Sequence, residues 1–343
     1  DGIRDIGVTG VQTCALPIYD HRSVWVGFDL GGTKMLTAAY DGDWQEIGRR
    51  RRKTKGRAGS DSGIKRIIST IDRLLEDSNL DKSSLAGIGI GCPGPIDMDQ
   101  GKVLMTPNLG WGDLNIRDQL NHYFDCPVVV MNDVDAGIYA EYRFGAAENA
   151  HCAVGLFPGT GVGGGCVHEG RILQGAGISC MEIGHTRISS TNCIDRSHLG
   201  GTVESEASRL AIASEACKLA YRGEAPYLAA EYGTDLSSVR SGALADSIDH
   251  GDQRVKELVV QACETIGFAV ANLVHLLAPD KVILGGGLVE AMEDLVVETV
   301  RETAEKNVLE VYHGRFEVIA AQLGDDAGVR GAAAWAKQNL SSE

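Results

Sequence analysis

Residues 24–40 read VWVGFDLGGTKMLTAAY. Two apolar runs flank the pair Gly31-Gly32, so the stretch predicts a β-hairpin closed by a glycine turn. The same arrangement returns at residues 152–167, CAVGLFPGTGVGGGCV, around Gly159-Thr160-Gly161. A strand, a glycine turn and a second strand near the start of each half predict two related lobes with a cleft between them.

The rest of the chain alternates predicted strands with predicted helices. A helix is predicted where apolar residues recur at helical spacing, as Ile64, Ile67 and Ile71 do. The predicted strands cover residues 24–30, 34–40, 45–52, 87–91, 127–131, 152–157, 163–167, 281–284 and 316–320. The predicted helices cover residues 60–77, 134–144, 253–277 and 327–338, with others after Thr202 and from the triplet 285–287 to about 307. This order predicts an α/β fold with mixed sheets.

The composition is that of an ordinary globular protein, with 43% hydrophobic and 23% charged residues. A net charge of −15 argues against nucleic acid as a partner. The basic run at residues 49–55 is interpreted as a solvated strand edge. Because no run of about 18 apolar residues and no signal peptide is found, we expect a soluble, cytoplasmic protein with no membrane partner.

The opening residues 1–18, DGIRDIGVTGVQTCALPI, fit no structural pattern. Their segment GVTGVQTCALPI resembles the conceptual translation of a sequencing adapter, so they are interpreted as an artefact and excluded from the fold; a natural disordered tail is the alternative. Of the nine cysteines, Cys14 lies in this stretch. The others form no CxxC pair, and we expect reduced, mostly buried thiols.

The glycine turns are candidate anion sites. Backbone amides without a neighbouring Cβ can approach a phosphate closely. Asp29 ends the first strand and could hold Mg²⁺ through water beside a polyphosphate. An ordinary hairpin turn is the alternative for any single glycine turn.

Two G-x-G-x-x-G patterns begin at Gly89 and Gly159, but a dinucleotide fingerprint must turn from a strand into a helix. Pro93 and Pro95 obstruct a helix in the first pattern, and an apolar strand follows the second. Neither pattern therefore indicates dinucleotide binding, and no Walker A sequence is found.

Seven motifs occur in order along the chain: DLGGTK (29–34), GIGCPGPID (89–97), TPNLGW (106–111), VVVMNDVDAGIYAEYRFG (128–145), GTGVGGG (159–165), EIGH (182–185) and GGG (285–287). In combination they resemble the ROK family, whose name stands for repressor, open reading frame, kinase, and which includes bacterial glucokinases and fructokinases. The similarity spans nearly all of residues 24–334.

The resemblance implies a two-lobed, actin-like and ribonuclease-H-like ATPase fold with a central cleft. The expected lobes are residues 23–131, with the C-terminal helix 327–343 packing back on them, and residues 132–326. The implied activity is transfer of the γ-phosphate of ATP, with Mg²⁺, to a hexose hydroxyl, with glucose as the leading substrate. We also expect a homodimer.

The resemblance also implies the roles of particular residues. Asp133 matches the family's catalytic base, and such a carboxylate suffices because the attacking hydroxyl loses its proton late. The implied sugar-binding residues are Asn108, Asn132, Asp133, Glu182, His185 and Glu204. The implied ATP and Mg²⁺ residues are Asp29, Gly31, Gly32, Thr33, Lys34, Gly159, Thr160, Gly161, Gly285 and Gly286. Without the resemblance, an Asp at position 133 is more often a helix N-cap, and a histidine such as His185 is more often a structural or surface residue.

The chain departs from the family at its structural zinc site. Family members usually carry CxCGxxGCxE after the GH dipeptide, but the three cysteine positions are here Asp195, Ser197 and Thr202. We therefore expect no zinc, with His185, Cys193 and His198 as the candidates for a substitute site. TPNLGW is also one residue shorter than the usual form, which bears on the placement of Asn108.

Other members of the family offer alternative functions. One is a sugar-responsive transcriptional repressor, which carries an additional helix-turn-helix, and no such module is visible. Another is a kinase for fructose or N-acetylmannosamine. Asp133 favours a kinase, because a sensor needs no catalytic base.

Overall fold

The computed structural model describes residues 23–56, 59–106, 109–190 and 198–340. The strands are β1 (Val24–Leu30), β2 (Lys34–Tyr40), β3 (Glu46–Lys53), β4 (Leu85–Cys92), β5 (Ile96–Asp97), β6 (Lys102–Thr106), β7 (Trp111–Asn115), β8 (Val128–Asn132), β9 (Cys152–Pro158), β10 (Val162–His168), β11 (Arg171–Ile172), β12 (Lys281–Leu284) and β13 (Glu317–Ala320). The helices are α1 (Ser60–Asp77), α2 (Ile116–Phe124), α3 (Asp133–Phe144), α4 (Val203–Ala207), α5 (Arg209–Tyr221), α6 (Pro226–Glu231), α7 (Ser241–Asp249), α8 (Gln253–Leu277), α9 (Gly287–Ala291), α10 (Glu293–Asn307) and α11 (Ala327–Leu340).

Two mixed sheets share one topology. The first has the order β3-β2-β1-β4-β8 and the second the order β11-β10-β9-β12-β13. In each, a hairpin joined by a glycine turn supplies the antiparallel half, β1 with β2 and β9 with β10, and two more strands continue in parallel. The predicted mixed sheets are confirmed, and the two hairpins occupy equivalent places in the two sheets.

Helices α11 and α3 lie between the sheets. A Cβ on Gly27 of β1 would lie 1.8 Å from the carbonyl oxygen of Val329, and one on Gly331 would lie 1.8 Å from that of Ala136. Since glycine alone permits such approaches, α11 packs directly on the first sheet and α3 directly on α11. Helix α3 also contacts β9 and β10 of the second sheet. Its first turn therefore lies where the two lobes meet.

Two large hydrophobic clusters form most of the core, and the first also takes in some residues of the second sheet. The first includes Phe28, Ile67 and Ile88, and the second is built largely around α8. Among the described residues, α8 alone is long and apolar enough to cross a membrane, but its inner side, with Ile266 and Val270, lies in the second core. That burial is typical of the core helix of a globular protein.

The cysteines that the structure describes behave as expected. All are free thiols, and most are buried: Cys92, Cys126, Cys152, Cys166 and Cys263 are buried, while Cys180 and Cys217 are half-buried. Cys193 lies outside the described residues.

The structure adds elements that the sequence pattern did not predict. Strands β5 to β7 form a small separate sheet, α2 follows it, and the helix predicted to end near residue 307 is divided at Met292 into α9 and α10. These strands have two to five residues. Such short strands carry too little apolar alternation to be read from the sequence, because their pairing depends on the surrounding packing.

Candidate active site

Two predicted site carboxylates, Asp29 and Asp133, lie near the carboxyl ends of strands in the first sheet. Asp29 pairs in register with Gly91 of β4, and Gly91 pairs with Met131 of β8, two residues before Asp133. A Cβ on Gly91 would lie 3.4 Å from the Cα of Asp133. The carboxyl ends of three parallel strands therefore bring Asp29 and Asp133 together around a glycine.

Both carboxyl groups have raised pKa values. Burial, followed by the charges of Asp133 and Asp325, raises the pKa of Asp29 to about 7, against the opposing effect of Arg51. Burial and the charge of Glu182 raise the pKa of Asp133 to about 6, although the backbone N–H of Val134 donates to it at 3.0 Å. Acids that exchange protons near neutral pH are concentrated at functional sites.

The cap of helix α3 is Asn132, the residue before Asp133. Its Oδ1 accepts hydrogen bonds from the N–H groups of Val134 at 2.8 Å and Asp135 at 3.4 Å, and its Nδ2 donates to the carbonyl of Gly94 at 3.1 Å. The alternative that Asp133 is the N-cap is therefore wrong. Asp133 is the first residue of the helix, and the cap that accepts from both Val134 and Asp135 is Asn132.

Three predicted sugar ligands form a cluster in the second lobe. Glu182 precedes the short turn Ile183–His185, and Glu204 lies in the first turn of α4. Burial and the charge of Glu204 raise the pKa of Glu182, while His185 lowers it. The charge of Glu182 also raises the pKa of Asp133. The three sugar ligands and Asp133 are therefore close enough to interact through their charges.

Glu204 and Arg209 hold the second glycine turn. The Oε2 of Glu204 accepts a hydrogen bond from Val162 N–H at 3.0 Å and would lie 2.1 Å from a Cβ on Gly161. The backbone N–H of Arg209 donates to the carbonyl of Gly159 at 2.9 Å, and its guanidinium donates to the Thr160 hydroxyl at 3.0 Å. These contacts therefore fix the shape of the second glycine turn beside the cluster of predicted sugar ligands.

Sequence reasoning missed Arg209. Burial and the charge of Arg240 lower the pKa of its guanidinium, and within the described part of the chain Arg209 forms no ion pair with a carboxylate. The signal in the sequence was a cation five residues after Glu204 in a strongly acidic chain. An unneutralised guanidinium beside a glycine turn favours an anionic ligand.

The third glycine turn adjoins the second. Gly285 donates its N–H to the carbonyl of Leu156 at 3.1 Å, and Gly286 has φ 86° and would place a Cβ 3.1 Å from the carbonyl of Pro158. Only glycine adopts this backbone without strain. The turn leads into helix α9 and so presents a helix N-terminus, not a hairpin, beside β9.

Thr54, at the end of β3, was also missed. Its hydroxyl donates to the carbonyl of Gly31 at 2.6 Å, and its N–H donates to the carbonyl of Thr33 at 2.8 Å. These two hydrogen bonds hold the backbone of the first glycine turn in place, while Gly32, Thr33 and Lys34 are exposed to solvent. The exposed side of the turn is the side that a ligand could contact.

Part of the predicted site lies outside the described residues, namely Asn108 and the zinc candidate Cys193. Among the residues that the structure describes, no group of three or more metal-ligating side chains occurs. Thr202, at one former cysteine position, caps helix α4 instead: its Oγ1 accepts from Ser205 N–H at 3.1 Å. The Thr202 side chain therefore serves as a helix cap.

Comparisons with known proteins identify the family and the fold of the chain. The pattern of the ROK family matches residues 25–339. A glucokinase of Halalkalibacterium halodurans is 31% identical over 324 residues, covering 93% of this chain and 96% of the relative. A ROK family glucokinase from Streptomyces griseus, crystallised with glucose and AMPPNP, has a TM-score of 0.79 at 26% identity, covering 92% of this chain and 99% of that one. A xylose repressor of Caldicellulosiruptor bescii is 27% identical over 282 residues, covering 81% of this chain and 69% of the relative. The structural match spans both lobes and confirms the predicted two-lobed, actin-like fold.

Proposed function

The chain belongs to the ROK family, and from that premise we propose that it is an ATP-dependent kinase that phosphorylates a hexose hydroxyl. Relatives and solved structures named as glucokinases support a sugar kinase. Glucose is the proposed substrate and glucose 6-phosphate the product. The observation that carries the proposal is the position of Asp133, between Asp29 on the first sheet and the cluster of Glu182, His185 and Glu204.

Asp133 is the proposed general base. Above a pH of about 6 its carboxylate is ionised and can accept the proton of the attacking hydroxyl. Since phosphoryl transfer passes through a loose transition state, the proton leaves late and a weak base is sufficient. Asn132 holds the start of α3, and thus the Asp133 backbone, through its cap bonds.

The hexose is proposed to bind Asn132, Glu182, His185 and Glu204, together with Asn108. Carboxylate, amide and imidazole groups can each serve vicinal hydroxyls in pairs. Because Oε2 of Glu204 accepts the hydrogen bond from Val162 N–H, Oε1 is the oxygen proposed to contact the sugar. The same carboxylate would then touch the sugar and shape the second glycine turn.

The nucleotide phosphates are proposed to lie against the three glycine turns, with Lys34, Thr160 and Arg209 at their edges. The surroundings of Asp29 fit Mg²⁺, because a half-buried carboxyl with two further acids near it and a single opposing cation suits a hard divalent ion. Asp29 would hold the ion, and Mg²⁺ bound there would offset the negative charge of the phosphates. The chain's own part is to orient the phosphates through backbone amides and to place Asp133 opposite them.

The two lobes are proposed to be residues 23–131 with 327–343, and residues 132–326. The contacts of α11 with β1 and β4 support the return of the C-terminal helix to the first lobe. We further propose that the protein works in the cytoplasm as a homodimer, without nucleic acid or membrane partners.

A sugar-responsive regulator is the second candidate, since a xylose repressor is among the relatives. The half-buried carboxyl group of Asp133 favours the kinase, because sugar sensing does not require a carboxylate with a raised pKa. A regulator would bind a sugar and DNA without releasing ADP.

A coupled assay of ADP release over glucose, fructose, mannose, allose and N-acetylmannosamine tests the proposal. We expect sugar-dependent ADP release with at least one hexose, fastest with glucose. Absence of ADP release with every sugar, together with calorimetric binding of one of them, would favour the regulator.

A further inference from the structure

A second carboxyl group of helix α3 is buried without a partner. Asp135 follows Asp133 by two residues and is 1% exposed. Neither of its carboxyl oxygens has a hydrogen-bond partner within the described residues. Its side chain lies against strand β10, where Oδ1 would be 3.1 Å from a Cβ on Gly165. The group is thus enclosed between α3 and the second sheet.

Among the described residues, none of the charged groups that act on Asp135 is a cation. Asp133 lies on its own helix, Glu182 and Cys180 lie on the neighbouring segment at residues 178–185, and Cys166 lies on β10. Burial, followed by the charges of Asp133 and Glu182, raises the pKa of Asp135 well above its ordinary range. A carboxylate that is desolvated, unpaired and flanked by two acids is strongly disfavoured.

Another buried acid on the same helix shows the opposite arrangement. Glu141 is 0% exposed, yet its carboxylate accepts hydrogen bonds from the backbone N–H groups of Ala146 at 2.9 Å, Gln322 at 2.9 Å and Leu323 at 2.8 Å. Charge on Glu141 is therefore compensated, whereas charge on Asp135 is not. The difference lies in the partners, because both side chains are equally buried.

We propose that Asp135 carries its proton in the working enzyme and acts as a positioning residue for the sugar site. In its neutral form it allows Asp133 on α3 and Glu182 on the facing segment to lie close together. In its ionised form it repels both, and α3 and the segment at residues 178–185 move apart. The idea rests on the proposed function, since it assigns the base to Asp133 and a sugar contact to Glu182.

The first test is the thermal stability of Asp135→Asn across pH. The folded protein retains a proton on Asp135 that the unfolded chain releases above a pH of about 4, so stability is lost as pH rises. The asparagine has nearly the same shape and does not titrate. The ratio of its folding equilibrium constant to that of the wild type should therefore rise by up to about tenfold for each pH unit above a pH of about 4. The difference in melting temperature between the two proteins should accordingly grow from about pH 5 to about pH 9.

Glu141→Gln is the matched control. It removes charge from a carboxylate that three backbone amides hold, so it should lower the melting temperature at every pH tested above about 5. If Asp135→Asn behaves like this control, or if its melting-temperature difference does not change with pH, Asp135 is ionised in the folded protein and the proposal is wrong.

The second test is the pH dependence of kcat/KM for the sugar. In the wild type, kcat/KM should decline on the alkaline side as the KM for sugar rises, and in Asp135→Asn this decline should be absent or moved to higher pH. Identical alkaline limbs in the two proteins would overturn the positioning role, even with the expected stability result. The stability test needs no substrate, so failure of the proposed kinase function would be recognised separately.

Discussion

The carboxylate of Glu204 accepts a hydrogen bond from the backbone N–H of Val162 at 3.0 Å, directly after the glycine turn at residues 159–161. Glu204 is a proposed sugar ligand, and the turn is a proposed phosphate site. One side chain therefore joins the two halves of the candidate active site, and a change at Glu204 should affect both substrates.

Glu204→Ala should weaken the binding of both the hexose and Mg-ADP. It removes a charge-assisted hydrogen bond, worth about 1.5–3 kcal/mol, from the turn. Glu204→Gln keeps an oxygen for Val162 N–H, so it should weaken hexose binding more than nucleotide binding. Calorimetric titration of each ligand separately measures this. Glu215→Ala, which changes an exposed acid on α5, is the control. Unaltered nucleotide affinity in Glu204→Ala would contradict the link.

Asp133→Asn should lower turnover by at least about 10²-fold, the usual scale for loss of a general base, while sugar affinity stays within a few-fold. The helix cap on Asn132 is untouched, so the fold should persist. Steady-state kinetics with calorimetric sugar binding checks both points. Asp118→Asn, at an exposed site in the first turn of α2, is the control. Near-normal turnover would remove Asp133 from the role of base.

The acid limb of the pH profile should report Asp133. Because its pKa is about 6 and the base acts only when ionised, kcat should fall as pH drops through about 6. The decline should approach about tenfold per pH unit below that value. The measurement is kcat with both substrates saturating at constant ionic strength. The residual rate of Asp133→Asn should lack this limb; the same limb in the variant would assign it to another group.

Arg209→Met should raise the KM for ATP by about tenfold, which is about 1.4 kcal/mol, with little effect on the KM for sugar. The Arg209 guanidinium donates a hydrogen bond to the Thr160 hydroxyl at 3.0 Å and has no carboxylate partner among the described residues. Its positive charge is therefore available to a phosphate group. Lys218→Met on the same helix removes a cation that already pairs with Glu215 and should leave both constants unchanged. A change in the KM for sugar alone would contradict the role of Arg209 at the nucleotide phosphates.

The purified protein should contain no stoichiometric zinc, and activity should survive chelation once Mg²⁺ is restored. Thr202 is engaged as the cap of α4, and neither its hydroxyl nor the other replacements, Asp195 and Ser197, supply the thiolates of the family's site. Metal analysis by mass spectrometry decides the matter. One zinc per chain would mean that His185, Cys193 and His198 form a substitute site.

The family motifs predicted four acids and one histidine as the central residues of the site. They singled out Asp29, Asp133, Glu182, His185 and Glu204. The structure brings these side chains into one region, although their roles remain predictions. The motifs could not indicate that Asn132, not Asp133, caps α3, because that depends on where strand β8 ends by a single residue.

Local pattern alone was enough to locate the hairpins and the long helices. Strands β1 and β2 and helices α1 and α8 have the predicted bounds, because apolar alternation and helical spacing are properties of neighbouring residues. The tertiary structure decided what lies beside each functional group. The hold of Glu204 and Arg209 on the second glycine turn, and the burial of Asp135 against β10, join residues far apart in sequence. Such contacts arise only when two sheets and the helices between them pack together, and no periodicity along the chain encodes their distances.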